Sequence, residues 1–64
     1  MLKKNDIITL SVDGITSEGS GVGRFEGVAV FVPGAADGDL IRARIGKVLS
    51  SYCFGILEET LAPS

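Results

Sequence analysis

The sequence contains no histidine and a single cysteine. Without histidine the chain lacks the usual neutral-pH general base and the commonest metal ligand. No Ser/His/Asp or Cys/His arrangement can be assembled from it. One cysteine excludes an internal disulfide and supplies too few thiolates for a zinc site, so Cys53 reads as a small core residue in a strand. Long apolar runs are missing too: none approaches the roughly 18 residues that a membrane span needs. Lys3 and Lys4 are followed by Asn5 and Asp6 where a signal peptide would begin its apolar stretch. The expectation is a cytoplasmic protein without a membrane partner. Basic groups are also scarce, six against eight carboxylates for a net charge of −2, so the broad basic footprint of many nucleic-acid binders is absent. Six basic residues can still form one local stripe. Length is a further shortage, because 64 residues permit one domain, and a chain of that size buries only about 60% of its unfolded surface.

What is present belongs to a packed β domain. Hydrophobic residues make up 45% of the chain and charged ones 22%, the reverse of the balance that keeps segments disordered. Glycines and prolines divide the chain into short runs, which predict strands near 7–13, 22–25, 28–32, 40–48 and 52–59. Ile8, Leu10 and Val12 alternate with Thr9, Ser11 and Asp13, the period of a half-buried strand. Glu26-Gly27 joins the second and third runs as a two-residue hairpin link with glycine second. In that register Phe25 pairs with Val28 and Gly23 lies opposite Val30. Phe25, Val28, Val30 and Val32 then face the core, while Arg24 and Phe31 share the other side. Ile41, Ala43 and Ile45 alternate with Arg42 and Arg44, and Cys53, Gly55 and Leu57 with Tyr52, Phe54 and Ile56. A helical reading of 40–60 would place Gly46 and Gly55 inside helices and shows no clean stripe at 3.6-residue spacing. Five short strands hide their edges best in a barrel, and a small five-stranded antiparallel OB-like β-barrel is the expected fold. Gly46 and Gly55 would relieve crowding where its strands bend.

No motif for chemistry emerges. Gly19-Ser20-Gly21-Val22-Gly23 has neither the spacing nor the trailing Lys-Ser/Thr of a phosphate-binding loop, and it reads as a structural turn. The carboxylates are scattered over turns and strand ends, so no catalytic residue and no metal ligand is assigned. The last two strands carry more. A three-residue loop between them sets Arg44 opposite Ile56, Arg42 opposite Glu58, Gly46 opposite Phe54 and Val48 opposite Tyr52. Arg42, Arg44, Tyr52 and Phe54 then share one outward surface, with Lys47 extending it. Guanidinium groups for phosphates beside rings for bases is the combination used to bind single strands. The alternative is a plain solvated face whose arginines pair with Glu58 and Glu59. A two-residue loop would instead turn Phe54 inward, opposite Ile45.

Several motifs in order then resemble one family. Gly19 to Gly27, Val30-Phe31-Val32-Pro33-Gly34-Ala35, Gly38-Asp39, Arg42-Ala43-Arg44-Ile45 and Ser51-Tyr52-Cys53-Phe54-Gly55 together resemble the TRAM domain, from about Asn5 to Leu61. The resemblance implies an OB-like barrel that helps RNA-modifying enzymes hold RNA for a catalytic domain in cis. The RNA-binding residues it and the strand faces suggest are Arg24, Phe31, Arg42, Arg44, Lys47, Tyr52 and Phe54. Uracil 5-methyltransferases carry such a module at the N-terminus, and methylthiotransferases of transfer RNA at the C-terminus. Here the module begins within a few residues of Met1 and ends in the linker-like Leu61-Ala62-Pro63-Ser64. The expectation is therefore the N-terminal piece of a uracil 5-methyltransferase acting on large-subunit (23S) ribosomal RNA. The implied cofactor of such a parent is S-adenosylmethionine; its donor site, its nucleophilic cysteine and any iron–sulfur ligands would lie beyond Ser64. No cofactor is expected in this chain, which is expected to be a monomer. Family members often carry lysines just before the aromatic pair, where this chain has Leu49-Ser50-Ser51, which thins the basic surface there. Two other readings stay open: a free-standing RNA-binding or RNA-chaperone protein, and a structural adaptor that packs through Phe31, Tyr52, Phe54 and Ile56.

Overall fold

A computed structural model describes residues 2–63. Its strands are β1 (Ile7–Ile15), β2 (Ser20–Phe25), β3 (Val28–Pro33), β4 (Leu40–Val48) and β5 (Tyr52–Ala62). They form a closed barrel in the order β1-β2-β3-β5-β4, with β4 returning to β1. There is no helix among the described residues, and 40–60 is two strands and a loop. The small OB-like barrel expected from the sequence is what forms. In one respect the expectation is corrected: β3 and β5 run parallel, while the other four pairings are antiparallel. Strand direction cannot alternate all the way round a ring with an odd number of members, so a closed five-stranded barrel must contain a parallel pair.

The core is built by the alternation read from each strand. Ile8, Leu10 and Val12, then Val30 and Val32, then Ile41, Ala43 and Ile45, and finally Cys53 point inward and are buried. Phe25, Val28 and Leu57 pack against this cluster. Burying a large aliphatic side chain contributes about 1.5–3 kcal/mol, so these few positions supply most of what holds so small a barrel. Leu2 and Ala35 join the core from outside the strands. Leu2 is brought there by a short N-terminal turn, in which the Lys3 amide donates to Asp6 Oδ2 at 2.9 Å. The Asn5 amide then donates to the Ile45 carbonyl at 2.6 Å, and the Ile45 amide to the Asp6 carbonyl at 2.8 Å.

The β2–β3 hairpin follows the predicted register, Phe25 against Val28 and Gly23 against Val30. Glu26 and Gly27 both have positive φ, 53° and 82°, as a type I′ turn requires. The glycine-rich stretch before it is not the turn that its composition suggested. Only Gly19, with φ of 90°, lies in the loop, and β2 begins at Ser20. Gly21 and Gly23 are buried strand positions. A Cβ on Gly23 would strike the Ser11 carbonyl oxygen of β1 and lie 2.8 Å from the Leu10 side chain, and one on Gly21 would lie 2.8 Å from the Ala35 Cβ. These glycines let β2 cross close over β1. Gly55 works in the same way, since a Cβ there would come within 3.2 Å of Val32, while Gly46 sits in an irregularity of β4 between Ile45 and Lys47.

Candidate nucleic-acid interface

Positions on β3 and β5 that point away from the core bring three rings together. Phe31 is aligned with Phe54 and Ala29 with Tyr52 across the parallel pairing. The ring centroids of Phe31 and Tyr52 lie 5.4 Å apart, of Phe31 and Phe54 5.8 Å, and of Tyr52 and Phe54 5.5 Å. Two of the three contacts are edge to face, at interplanar angles of 71° and 81°. Such pairs add about 0.5–1.5 kcal/mol beyond their buried area, enough to hold the cluster in shape at a surface. Phe31 therefore faces outward, half-buried by its neighbours, and Phe54 is 39% exposed.

Basic residues border the rings in cross-strand rows. Arg24 on β2 is in line with Ala29 and then Tyr52. Phe31, Phe54 and Lys47 form the next row, and Ile56, Arg44 and Ile7 a further one. Arg44 thus stands opposite Ile56, in the register of the three-residue loop, and Phe54 is exposed rather than inward. The other predicted pairs shift by one residue. Phe54 lies opposite Lys47 instead of Gly46, Val48 opposite Cys53 instead of Tyr52, and Arg42 opposite Glu59 instead of Glu58. Irregularities between Ile45 and Lys47 and between Arg42 and Ala43 each insert an extra residue on one strand.

The two arginines are engaged by carboxylates of β5. Arg42 Nη1 is 2.9 Å from Glu59 Oε1, and Arg44 Nε is 3.0 Å from Glu58 Oε2. The carboxylate pairing weighed as the alternative from sequence is present, together with the aromatic cluster. All four side chains are about one-third to over one-half exposed, where ion pairs contribute roughly 0–1 kcal/mol. They are easily exchanged for another partner.

Beside the rings lies an open cleft of about 360 Å³ lined by Phe31, Tyr52, Phe54, Thr16, Glu18 and Ser20. Thr16 and Glu18 come from the β1–β2 connection and Ser20 from the first position of β2. That connection is tied down: the Thr16 amide donates to the Ser20 carbonyl at 2.8 Å and the Gly19 amide to the Thr16 carbonyl at 2.9 Å. The Ser20 amide donates to Thr16 Oγ1 at 3.1 Å. The signal that would have found it is positional, because the first interstrand loop of OB-type barrels borders their ligand face. Chemically the surface offers faces for stacking, cations at one flank and hydroxyls with a carboxylate at the other. Among the described residues no group of three or more His, Cys, Asp or Glu side chains could hold a metal ion. Cys53 is free and buried.

The chain has relatives among RNA methyltransferases of several bacteria. It is 40% identical over 58 residues to an uncharacterized RNA methyltransferase of Listeria innocua, covering 91% of the chain and 13% of that protein. A counterpart in Streptococcus mutans is 38% identical over 64 residues, covering the whole chain and 14% of the relative. One from Halalkalibacterium halodurans is 35% identical over 54 residues, 84% of the chain and 12% of the relative. The chain thus spans about one-eighth of the length of these relatives. In fold it is similar to the solution structure of a conserved protein of Methanococcus maripaludis, with a TM-score of 0.82 at 23% identity over 88% of this chain and 80% of that one. The family model of the TRAM domain matches residues 2–57, and the chain belongs to the TRAM domain family.

Proposed function

We propose that this barrel binds a single-stranded segment of RNA across the outer face of β3, β5 and β4. On this reading it docks ribosomal RNA for an S-adenosylmethionine-dependent uracil 5-methyltransferase domain in the same polypeptide. The observation that carries the proposal is the ring triangle of Phe31, Tyr52 and Phe54 beside Lys47, Arg44 and Arg42 on the adjacent strand. Bases stack on rings irrespective of sequence, and phosphates follow the cations. Arg24, in line with Tyr52, extends the track toward β2. The relatives are called RNA methyltransferases, which supports the enzymatic context. The protein acts as a monomer in the cytoplasm on this reading.

The chemistry of that enzyme is assigned to residues outside this chain. An iron–sulfur cluster is held by several thiolates, and this chain has one cysteine, turned into the core, so the residues present do not fit such a group. The ring cleft lacks paired acid and base groups, so this chain's share of the work is binding and orientation.

The test is a titration of the isotope-labelled chain with a short uridine-containing single-stranded RNA, following backbone amides at low and at physiological salt. Salt-sensitive shifts are expected at Arg42–Lys47 and Tyr52–Phe54. A silent spectrum at low salt would overturn the proposal and leave the adaptor reading, in which the same face packs on protein.

A further inference from the structure

Resting on that reading, we propose that the cleft between the rings and the β1–β2 loop is a subsite for one unpaired guanine base, read by the Glu18 carboxylate. The cleft is small: about 360 Å³ is at the low end of the roughly 300–1,000 Å³ typical of small-molecule sites, room for a single base and not for a duplex. One wall is aromatic, with Phe54 39% exposed and available for stacking. Glu18 is the charged residue in the lining, and its sign decides what enters. A carboxylate repels phosphate, so the backbone of a bound strand must run toward Lys47 and Arg44 and present a base to the cleft.

An ionised carboxylate only accepts hydrogen bonds, through two adjacent oxygens. The ligand edge that matches it carries two adjacent donors. Guanine has that pair, N1–H and N2–H, on its Watson–Crick edge. Adenine and cytosine present one exocyclic amine beside an acceptor nitrogen, and uracil presents one N–H between two carbonyls, so each would set an acceptor against the carboxylate. Glu18 also differs from the other carboxylates of this face. Glu58 and Glu59 are taken by Arg44 and Arg42, whereas Glu18 has no ion pair or hydrogen bond among the described residues. The loop that carries it is fixed at its base by the three Thr16–Ser20 and Thr16–Gly19 hydrogen bonds, so the backbone beneath Glu18 needs little further ordering and the cost left is that of one side chain.

The experiment uses the 64-residue chain and four pentanucleotides of equal charge: UUGUU, UUUUU, UUAUU and UUGUU with inosine in place of guanine. Binding is followed by quenching of the single tyrosine, Tyr52, which lines the cleft. UUGUU is expected to bind about fivefold or more tighter than the others, with inosine losing most of the advantage because it lacks the second donor. Glu18→Gln is expected to weaken UUGUU and at the same time to strengthen UUUUU, since a repelling charge is gone; damage to the loop alone would weaken both. Equal affinity for all four strands, a preference for another base, or parallel loss of all four in Glu18→Gln would overturn the guanine subsite and leave the RNA reading intact. Absence of binding to every strand would overturn both.

Discussion

Arg42 and Glu59 face each other across the β4–β5 pairing and close an ion pair of 2.9 Å, with both side chains about half in water. The pair has the geometry of a guanidinium–phosphate contact with a carboxylate standing in for the phosphate. Arg44 and Glu58 repeat the arrangement at 3.0 Å. On the proposed reading, RNA that uses these arginines must displace the carboxylates, so the acidic residues would work against affinity while adding little stability.

Replacing Glu58 and Glu59 together with glutamine is therefore expected to raise RNA affinity severalfold at low salt and to cost roughly 0–2 kcal/mol in stability for the two pairs. Fluorescence anisotropy and thermal melts measure the two effects. Replacing Arg42 and Arg44 with alanine should act in reverse, and the salt slope should become shallower by about 1.4, at roughly 0.7 per lost single-strand phosphate contact. A slope unchanged in the arginine variant would assign the cations to solubility alone.

Phe54→Ala separates binding from folding. The ring is partly exposed and lies outside the buried core, so its loss should cost about 1–3 kcal/mol in RNA binding while the barrel stays folded, the stability lost being that of its two ring contacts. Phe31, more enclosed by its neighbours, should show both losses when cut to alanine. Amide spectra of the two variants, with and without RNA, check this contrast.

Gly23→Ala should destabilise the barrel by about 1–3 kcal/mol, because the added methyl meets the Ser11 carbonyl in a backbone-to-backbone approach. Gly14→Ala is the control. Nothing lies within 4 Å of a Cβ there, and its φ is not in the left-handed region. It should be neutral or stabilising by up to about 1 kcal/mol through the unfolded chain. Denaturant titrations should show a loss of stability for Gly23→Ala and none for Gly14→Ala.

Glu26 holds a φ of 53° at the first central position of the hairpin turn. A long side chain there bears a cost of about 1–2 kcal/mol that asparagine largely avoids. Glu26→Asn is expected to raise the unfolding midpoint without altering RNA affinity, since the turn lies outside the ring cleft. A drop in the midpoint would show that the glutamate makes a compensating contact.

Period-two alternation is a local property, and where the structure depends on it the sequence is readable. The inward sets Ile8-Leu10-Val12 and Ile41-Ala43-Ile45 could be named before any coordinates, as could the outward placement of Arg42 and Arg44, whereas the facing of Tyr52 and Phe54 turned on the length of the loop before them, which the sequence leaves open. Registers that depend on irregularities were not readable. Nothing in Ile45-Gly46-Lys47 states that the strand gains a residue there, because the shift exists only in the pairing of β4 with β5, a partner that the local sequence does not specify. The role of Gly21 and Gly23 is hidden for a related reason: the close approach they permit is made by Ala35, Leu10 and Ser11, all distant in the chain. Leu2 likewise reveals its burial only once the N-terminal turn docks on Ile45. The cleft was hidden because Thr16, Glu18 and Ser20 meet the rings only after the barrel closes.

The parallel seam between β3 and β5 has a consequence for motion. It is matched only at Ala29–Tyr52, Val30–Cys53 and Phe31–Phe54, with Phe31 on one side and the other two rings on the opposite side. Any transient parting of this short seam pulls the aromatic triangle apart. Breathing of the cylinder and availability of the stacking surface are then a single equilibrium. A strand of RNA laid over the rings would work as a clasp, slowing amide exchange at the seam in proportion to how tightly it binds.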